Sequence, residues 1–167
     1  MYIINTDASI EPCNPGGVMA WAFIVRSIGK EKGEIYRASG ISGRGPETTN
    51  NISEYLAVIA AILWLLKMPE EKRQPVIIQS DSQLIVKQCS GVWDCKDEEL
   101  RKLHKLVLAG VNRFGKSITF KWIPRDKNAE ADELSRNPYN NNEVQEEIKA
   151  IHEHKFEENY KDDDLSW

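Results

Sequence analysis

Four carboxylates stand where a carboxylate is costly. Asp7 interrupts the β-branched, alternating run YIINTDAS, Asp81 ends the short apolar run VIIQSD, Glu54 opens the long apolar stretch EYLAVIAAILWLLK, and Asp132 lies early in NAEADELSR. The chain has 26 Asp and Glu, and most read as ordinary solvated groups; an acid beside segments that read as core does not. Burying an unpaired carboxylate costs on the order of several kcal/mol unless something positive compensates. Clustered acids also raise one another's pKa values, so such a set makes chemical sense around bound cations. The donors are hard oxygens without a nearby His or Cys, which points to Mg2+ or Mn2+ and away from zinc. If the strands carrying Asp7 and Asp81 are neighbours, all four acids can meet at one edge of a sheet surface, near the carboxyl end where α/β sheets place ligands.

The elements that must position them can be read from periodicity. YIINTDAS alternates as a central strand and stops at the turn-rich IEPCNPGG; VMAWAFIVRS and GEIYRASG, joined by IGKEKG, add a hairpin and make a three-strand antiparallel meander. A polar link, ISGRGPETTNN, leads into SEYLAVIAAILWLLK, a helix buried on nearly all sides with Ser53 or Asn51 as its cap. VIIQSD reads as an interior strand and SQLIVKQC has helical spacing. EELRKLHKLVLAGVNRF puts Leu100, Leu103, Leu106, Val107 and Val111 on one helical face. SITFKWIP alternates as a fifth strand, and NAEADELSR is a last helix stopped by Asn137 and Pro138. The order βββ-α-β-α-α-β-α implies an α/β fold, a mixed five-stranded sheet flanked by helices.

A chain of 167 residues, 41% of them hydrophobic, can bury one substantial core: residues 1–137 as a single domain, and residues 138–167 as an acidic C-terminal appendage, partly helical or disordered. A possible helix runs from Glu143 to Phe156, followed by the acidic end ENYKDDDLSW. The longest apolar run, Tyr55 to Leu66, is 12 residues, short of the roughly 20 needed to cross a bilayer, and MYIINTD lacks the features of a signal peptide. A soluble, cytoplasmic, monomeric protein without a membrane partner is expected. Cys13, Cys89 and Cys95 form neither an even set nor a close ligand pair, and read as reduced structural thiols. The net charge of -4 hides an asymmetry: residues 143–167 hold nine acids against three Lys and Arg, leaving the rest of the chain slightly positive. That permits a basic nucleic-acid surface on the body.

TDAS followed by NPGG, then TTNNISEYLAVIAAI, SDSQLIVK and WIPRDKNAEADELSR match, in order and at suitable separations, the signature blocks of type 1 ribonuclease H. The chain resembles that family over residues 2 to about 136. The resemblance implies the ribonuclease H-like fold, with three antiparallel strands then two parallel ones. It also implies an endonuclease that hydrolyses the RNA strand of RNA/DNA hybrids, leaving 5′-phosphate and 3′-hydroxyl ends. By that resemblance Asp7 would bridge two Mg2+ ions, Asp132 would complete the one holding the attacking water, and Glu54 with Asp81 would bind the one on the leaving-group side, with Mn2+ a possible substitute. The backbone around Asp7, at Ala8 and Ser9, and the Glu54 side chain would touch RNA 2′-hydroxyls. Asn14, Asn50, Asn51 and Gln83 match the family's hybrid-contacting polar residues and Trp93 an aromatic that packs on the DNA strand in some members; Arg125, in the loop before the last Asp, is a further candidate substrate-binding residue. Taken alone, the neutral side chains would read as turn or cap residues.

The match departs in four places. Many bacterial members carry a His before the last Asp, whereas this loop reads Pro124, Arg125, Asp126, Lys127, Asn128, so turnover would lean on Arg125, Lys127 or solvent. There is no long basic insertion between the middle helices, only the acidic VWDCKDEE, so hybrid affinity should be modest and salt-sensitive. Ala8 stands where many members have Gly. The acidic tail has no family counterpart: DDDLSW could dock on a replication partner, or the tail could shield the substrate groove. Two other functions compete, another nuclease or strand-transfer enzyme on the same fold, and a non-catalytic hybrid-binding module. Retention of all four acids disfavours the second, since a pure binder gains by shedding negative charge near phosphate.

Overall fold

The structure, a computed structural model, describes residues 1–29, 32–140 and 142–154. Strands β1 (Tyr2–Glu11), β2 (Gly16–Ser27) and β3 (Gly33–Gly45) form the antiparallel meander. On its other edge β1 takes β4 (Val76–Ser80) in parallel, and β4 takes β5 (Ile118–Trp122) in parallel, giving the order β3-β2-β1-β4-β5. This is the expected mixed sheet, and it makes the strands bearing Asp7 and Asp81 neighbours, with Asn5 opposite Gln79.

β1 and β3 run further than their alternation indicates. β1 continues to Glu11 opposite Val18, and β3 to Gly45 opposite Gly16, so residues 41–45 of the polar link are strand. For β3 the reason is irregular register: shifts between Gly16 and Val18 and between Met19 and Ala20 break the period of two while the backbone stays paired, whereas β1 keeps an unbroken register with β2 through Glu11.

Helix α1 (Asn50–Lys67) buries 13 of its 18 residues, as its composition demands. Its cap is Thr49, whose hydroxyl accepts from the Ile52 N–H, and not Ser53 or Asn51. Ser53 lies inside the first turn, fully buried, and its Oγ donates to the Ala20 carbonyl at 2.9 Å, so it seats the helix on β2 instead of capping it. Asn51 is exposed on the first turn. Helix α2 (Gln83–Cys89) follows β4, and α3 (Glu98–Phe114) packs along α1 with Leu100, Leu103, Leu106 and Val107 buried and Val111 packed at the edge of the core. That crossing requires Gly110, because a Cβ there would stand 2.5 Å from Ile62 Cγ2. Gly115 ends α3 at φ 71°, the left-handed conformation glycine adopts freely.

Alternation along β1 and β2 divides the sheet into two faces. Ile4, Trp21, Phe23 and Val25 face the large core under α1, where Trp21 stacks on Phe23 at 6.0 Å between centroids. Ala22 and Ile24 face the other way and hold Ala131 and Leu134 of helix α4 (Ala129–Arg136). Asn5, Asp7 and Ser9 point with them, each bonded to the Asn128–Arg136 segment. Hence the period of two in YIINTDAS is what aims Asp7 at α4.

Helix α5 (Gln145–His154) lies within the stretch expected to be a helix; Phe156 and the acidic end with DDDLSW fall outside the described residues. Val144, Ile148 and Ile151 are fully buried in the main core, Gln145 Nε2 donates to the Ile41 carbonyl at 2.8 Å, and Lys67 pairs with Glu147. So residues 144–151, read as part of an appendage, share the core of the sheet. Among the described residues no helix is long and apolar enough to cross a membrane. Ile148→Ala should lower the unfolding free energy by about 2–4 kcal/mol in urea denaturation, the cost of a buried cavity; a change below about 0.5 kcal/mol, usual for surface sites, would show that α5 does not stabilise the body.

Candidate active site

Three elements bring their acids together. Asp7 sits opposite Ala22 in β1, Asp81 directly follows β4, and Glu54 is one turn into α1. One carboxylate oxygen from each lies within 4.8 Å of the other two. Asp7 and Glu54 are buried, at 3% and 5% exposure, and Asp81 is half-buried. Ser135 Oγ donates to Asp7 Oδ2 at 2.9 Å, whereas Glu54 Oε2 is buried with no hydrogen-bond partner among the described residues.

Asp132 stands beside this triad rather than in it. It projects from α4, where Arg136 Nε approaches at 3.3 Å and Arg125 Nη2 at 3.5 Å. Its charge still reaches Asp7 and Glu54. Burial and then the charge of Asp81 push Asp7 up to about 7, against a single lowering hydrogen bond from Ser135. Burial, then Asp7 and Asp81, hold the Glu54 carboxyl well above its ordinary value, with Arg125 opposing.

A dry carboxylate oxygen left without a donor, two more acids at its side and no nitrogen or sulfur ligand fit a hard divalent cation. Of the four acids singled out from the sequence, Asp7, Glu54 and Asp81 form the candidate ligand set; Asp132 lies outside that 4.8 Å group and acts on it through its charge.

The other residues singled out are distributed around this centre. Ala8 is buried beside Asp7, opposite Trp21. The Ser9 hydroxyl is spent on the Ser135 carbonyl at 2.8 Å. Asn14 Oδ1 accepts from the Asn50 backbone N–H at 3.2 Å, joining the β1–β2 turn to the start of α1, with Asn51 next to it. Gln83 is exposed at the start of α2, and Trp93, 44% exposed, lies beyond its end with Lys87 Nζ 4.7 Å from the ring centroid. Arg125 opens a 3-10 turn, Arg125–Lys127, with most of its side chain exposed.

Sequence reasoning missed the residues that hold the site in shape. Asn128, 1% exposed, donates from Nδ2 to the Thr6 carbonyl at 2.9 Å and accepts from Asn5 Nδ2 at 3.2 Å, so it staples the start of α4 to β1. Thr48, equally buried, donates to the carbonyls of Gly17 and Gly45 at 2.8 Å, fixing the turn that carries Asn14. Ser135 was signalled only by lying three residues after Asp132, on the same helical face.

Residues 5–137 match the family model described as Reverse transcriptase-like. The chain is 34% identical over 87 residues to the Bifunctional protein Rv2228c of Mycobacterium tuberculosis, which covers 52% of this chain and 23% of that one. It is 36% identical over 103 residues to Ribonuclease HI of Halobacterium salinarum, covering 58% of this chain and 48% of the relative. The chain thus spans about half or less of the length of these curated relatives. Among solved structures it resembles LC11-RNase H1 in complex with an RNA/DNA hybrid, with a TM-score of 0.72, 28% identity, and coverage of 83% of this chain and 96% of that one.

The crowded acids have a measurable consequence. With Asp7 at about 7 in the folded chain and near 3.8 when free, the folded state binds the extra proton between those values. The stability this proton contributes is full below the lower value and lost as pH rises through the upper one. Without divalent ions, Asp7→Asn should therefore melt above the wild type at pH 8, and the gap should shrink as pH falls through 7 towards 4. Millimolar Mg2+ should narrow it at pH 8. Scanning calorimetry of both proteins checks this; a gap that does not change with pH would remove the electrostatic account.

Proposed function

The chain belongs to the Reverse transcriptase-like family, and on that premise we propose that it is a metal-dependent endonuclease of the ribonuclease H type, cutting the RNA strand of RNA/DNA hybrids. The observation that carries this reading is the meeting of Asp7, Glu54 and Asp81 with Glu54 Oε2 buried and undonated. Asp7, Glu54, Asp81 and Asp132 are the residues to hold two Mg2+ ions, or Mn2+ in their place. Such ions, when bound, activate water and stabilise the charge that develops at phosphorus in an in-line displacement. The resemblance to type 1 ribonuclease H implies that O3′ is the leaving group, giving products with 5′-phosphate and 3′-hydroxyl ends.

The protein's own groups prepare the site. Ser135 orients Asp7, and Arg125 with Arg136 pairs with Asp132, partly offsetting the negative charge that Asp132 still exerts on Asp7 and Glu54. Arg125 is exposed enough to meet a phosphate as well. In this reading the Asn14–Asn50 junction and the backbone at Ala8 and Ser9 contact the RNA strand, its 2′-hydroxyls included, and Asn51 and Gln83 make further polar contacts to the hybrid. Trp93, with Lys87 over its ring, offers a cationic stacking surface to the DNA strand. Residues 1–137 are the catalytic domain in this reading, with α5 as its buttress.

Incubation of the protein with labelled RNA/DNA hybrid, duplex RNA and duplex DNA, each with Mg2+, Mn2+ or chelator, should show cutting of the hybrid's RNA strand alone, and only with metal. Binding of hybrid without cutting would favour a non-catalytic hybrid-binding module. Asp81→Asn should lower kcat by more than about a hundredfold, as expected for loss of a ligand at least as important as its outer-shell partners. Its hybrid binding should stay intact or tighten as negative charge leaves the phosphate path. Wild-type cleavage by that variant would overturn the assignment.

A further inference from the structure

Trp122 ends β5 with 43% of its surface exposed, so burial alone does not account for a tryptophan there. Its indole Nε1–H donates to the backbone carbonyl of Asp81 at 3.0 Å. That carbonyl lies one residue beyond the last β4–β5 pair, Ser80 with Trp122, at the point where the chain leaves the sheet to enter α2. The residues on either side are held independently. The Ile123 N–H donates to the Ser80 carbonyl at 3.0 Å, and the Ser82 N–H to Ser80 Oγ at 3.1 Å. The indole takes hold of Asp81's own peptide group.

Asp81 is the least buried of the three clustered acids and the one carried by a turn rather than by a strand or helix. Rotation of its peptide plane would move its carboxylate relative to Asp7 and Glu54, and the oxygens share a sphere only 4.8 Å across. We propose that Trp122 is a positioning residue of the metal centre: its indole N–H pins the Asp81 peptide and so keeps the Asp81 carboxylate within reach of an ion held by Asp7 and Glu54. This rests on the reading of those acids as metal ligands. It assigns the tryptophan a role through Asp81, not through contact with nucleic acid.

Trp122→Phe keeps an aromatic ring and removes the donor. In titration calorimetry without nucleic acid, the affinity of this variant for Mg2+ should fall about three- to tenfold, the range expected for one lost hydrogen bond to a ligand's support. The kcat at subsaturating Mg2+ should fall in parallel and recover as Mg2+ is raised. KM for the hybrid, and hybrid binding in chelator, should be unchanged. In the wild type, the indole Nε1–H resonance of Trp122 should move on adding Mg2+, and in Asp81→Asn it should not. Unchanged ion affinity in a folded Trp122→Phe variant overturns the proposal. So does weaker hybrid binding in chelator with ion affinity intact, which would make the ring a stacking surface instead. If the variant does not fold, the wild-type resonance decides, and a Trp122 signal indifferent to Mg2+ overturns it. Because the ion titration contains no substrate, a chain that binds Mg2+ in this way and cuts no hybrid would sink the proposed activity alone.

Discussion

Carboxylate oxygens of Asp7, Glu54 and Asp81 approach within 4.8 Å, a spacing at which each ionised pair repels by about 3 kcal/mol at an effective dielectric of about 20. Two of the three acids are almost wholly shielded from water, which removes the solvent that would soften the repulsion. The surrounding structure offers little relief. One hydroxyl, from Ser135, reaches Asp7, and the nearest arginines are drawn to Asp132. An arrangement this unfavourable in isolation persists because the sheet and α1 are held by a large core whose burial outweighs it.

Each acid is delivered by a different kind of constraint. Asp7 is fixed by strand alternation, which leaves it no choice of face once Ile4 and the neighbouring strand have taken the core. Glu54 is fixed by a helix buried nearly all round, seated by the Ser53 hydroxyl on the Ala20 carbonyl. Asp81 depends on a turn, so its direction rests on the bonds from Ser82, Ile123 and Trp122 around it. Asp132 rides on α4, whose distance from β1 is set by the Asn128 staple and by Ala131 and Leu134 against Ala22 and Ile24. Asp7, Glu54 and Asp132 ride on regular backbone, and Asp81 alone of the four does not.

The loop before Asp132 has no histidine, and the structure shows what stands there. A 3-10 turn presents Arg125 to Asp132 from one side while Arg136 approaches from within α4. The fourth acid is therefore charge-compensated before any cation arrives, in contrast to Glu54. At the opposite edge, α5 places Ile148 and Ile151 in the same core as α1, so the body extends beyond the residues that match the family model.

Read alone, the chain determined the order and type of its elements, the neighbourhood of β1 and β4 as a condition to be met, and the four acids as the groups out of place. Those follow from local rules: alternation, helical spacing, and the cost of charge beside apolar runs, all of which act over a few residues. The extension of β3 through Gly45 was not legible because bulges break the alternation without breaking the pairing. The staple at Asn128 and the indole of Trp122 on Asp81 were not legible either, since each depends on where a distant backbone carbonyl comes to rest; the cap at Thr49 is local, one of several polar residues in TTNNIS that could have served. Tertiary structure alone decided that Ser135 meets Asp7 and that Ile148 belongs to the core; the Asp132–Arg136 pair is an i,i+4 contact within α4 that helical spacing allows. A side chain's type states what it can bond to; for partners far apart in the chain, such as Ser135 and Asp7, only the packing of their elements decides which one stands within 3 Å.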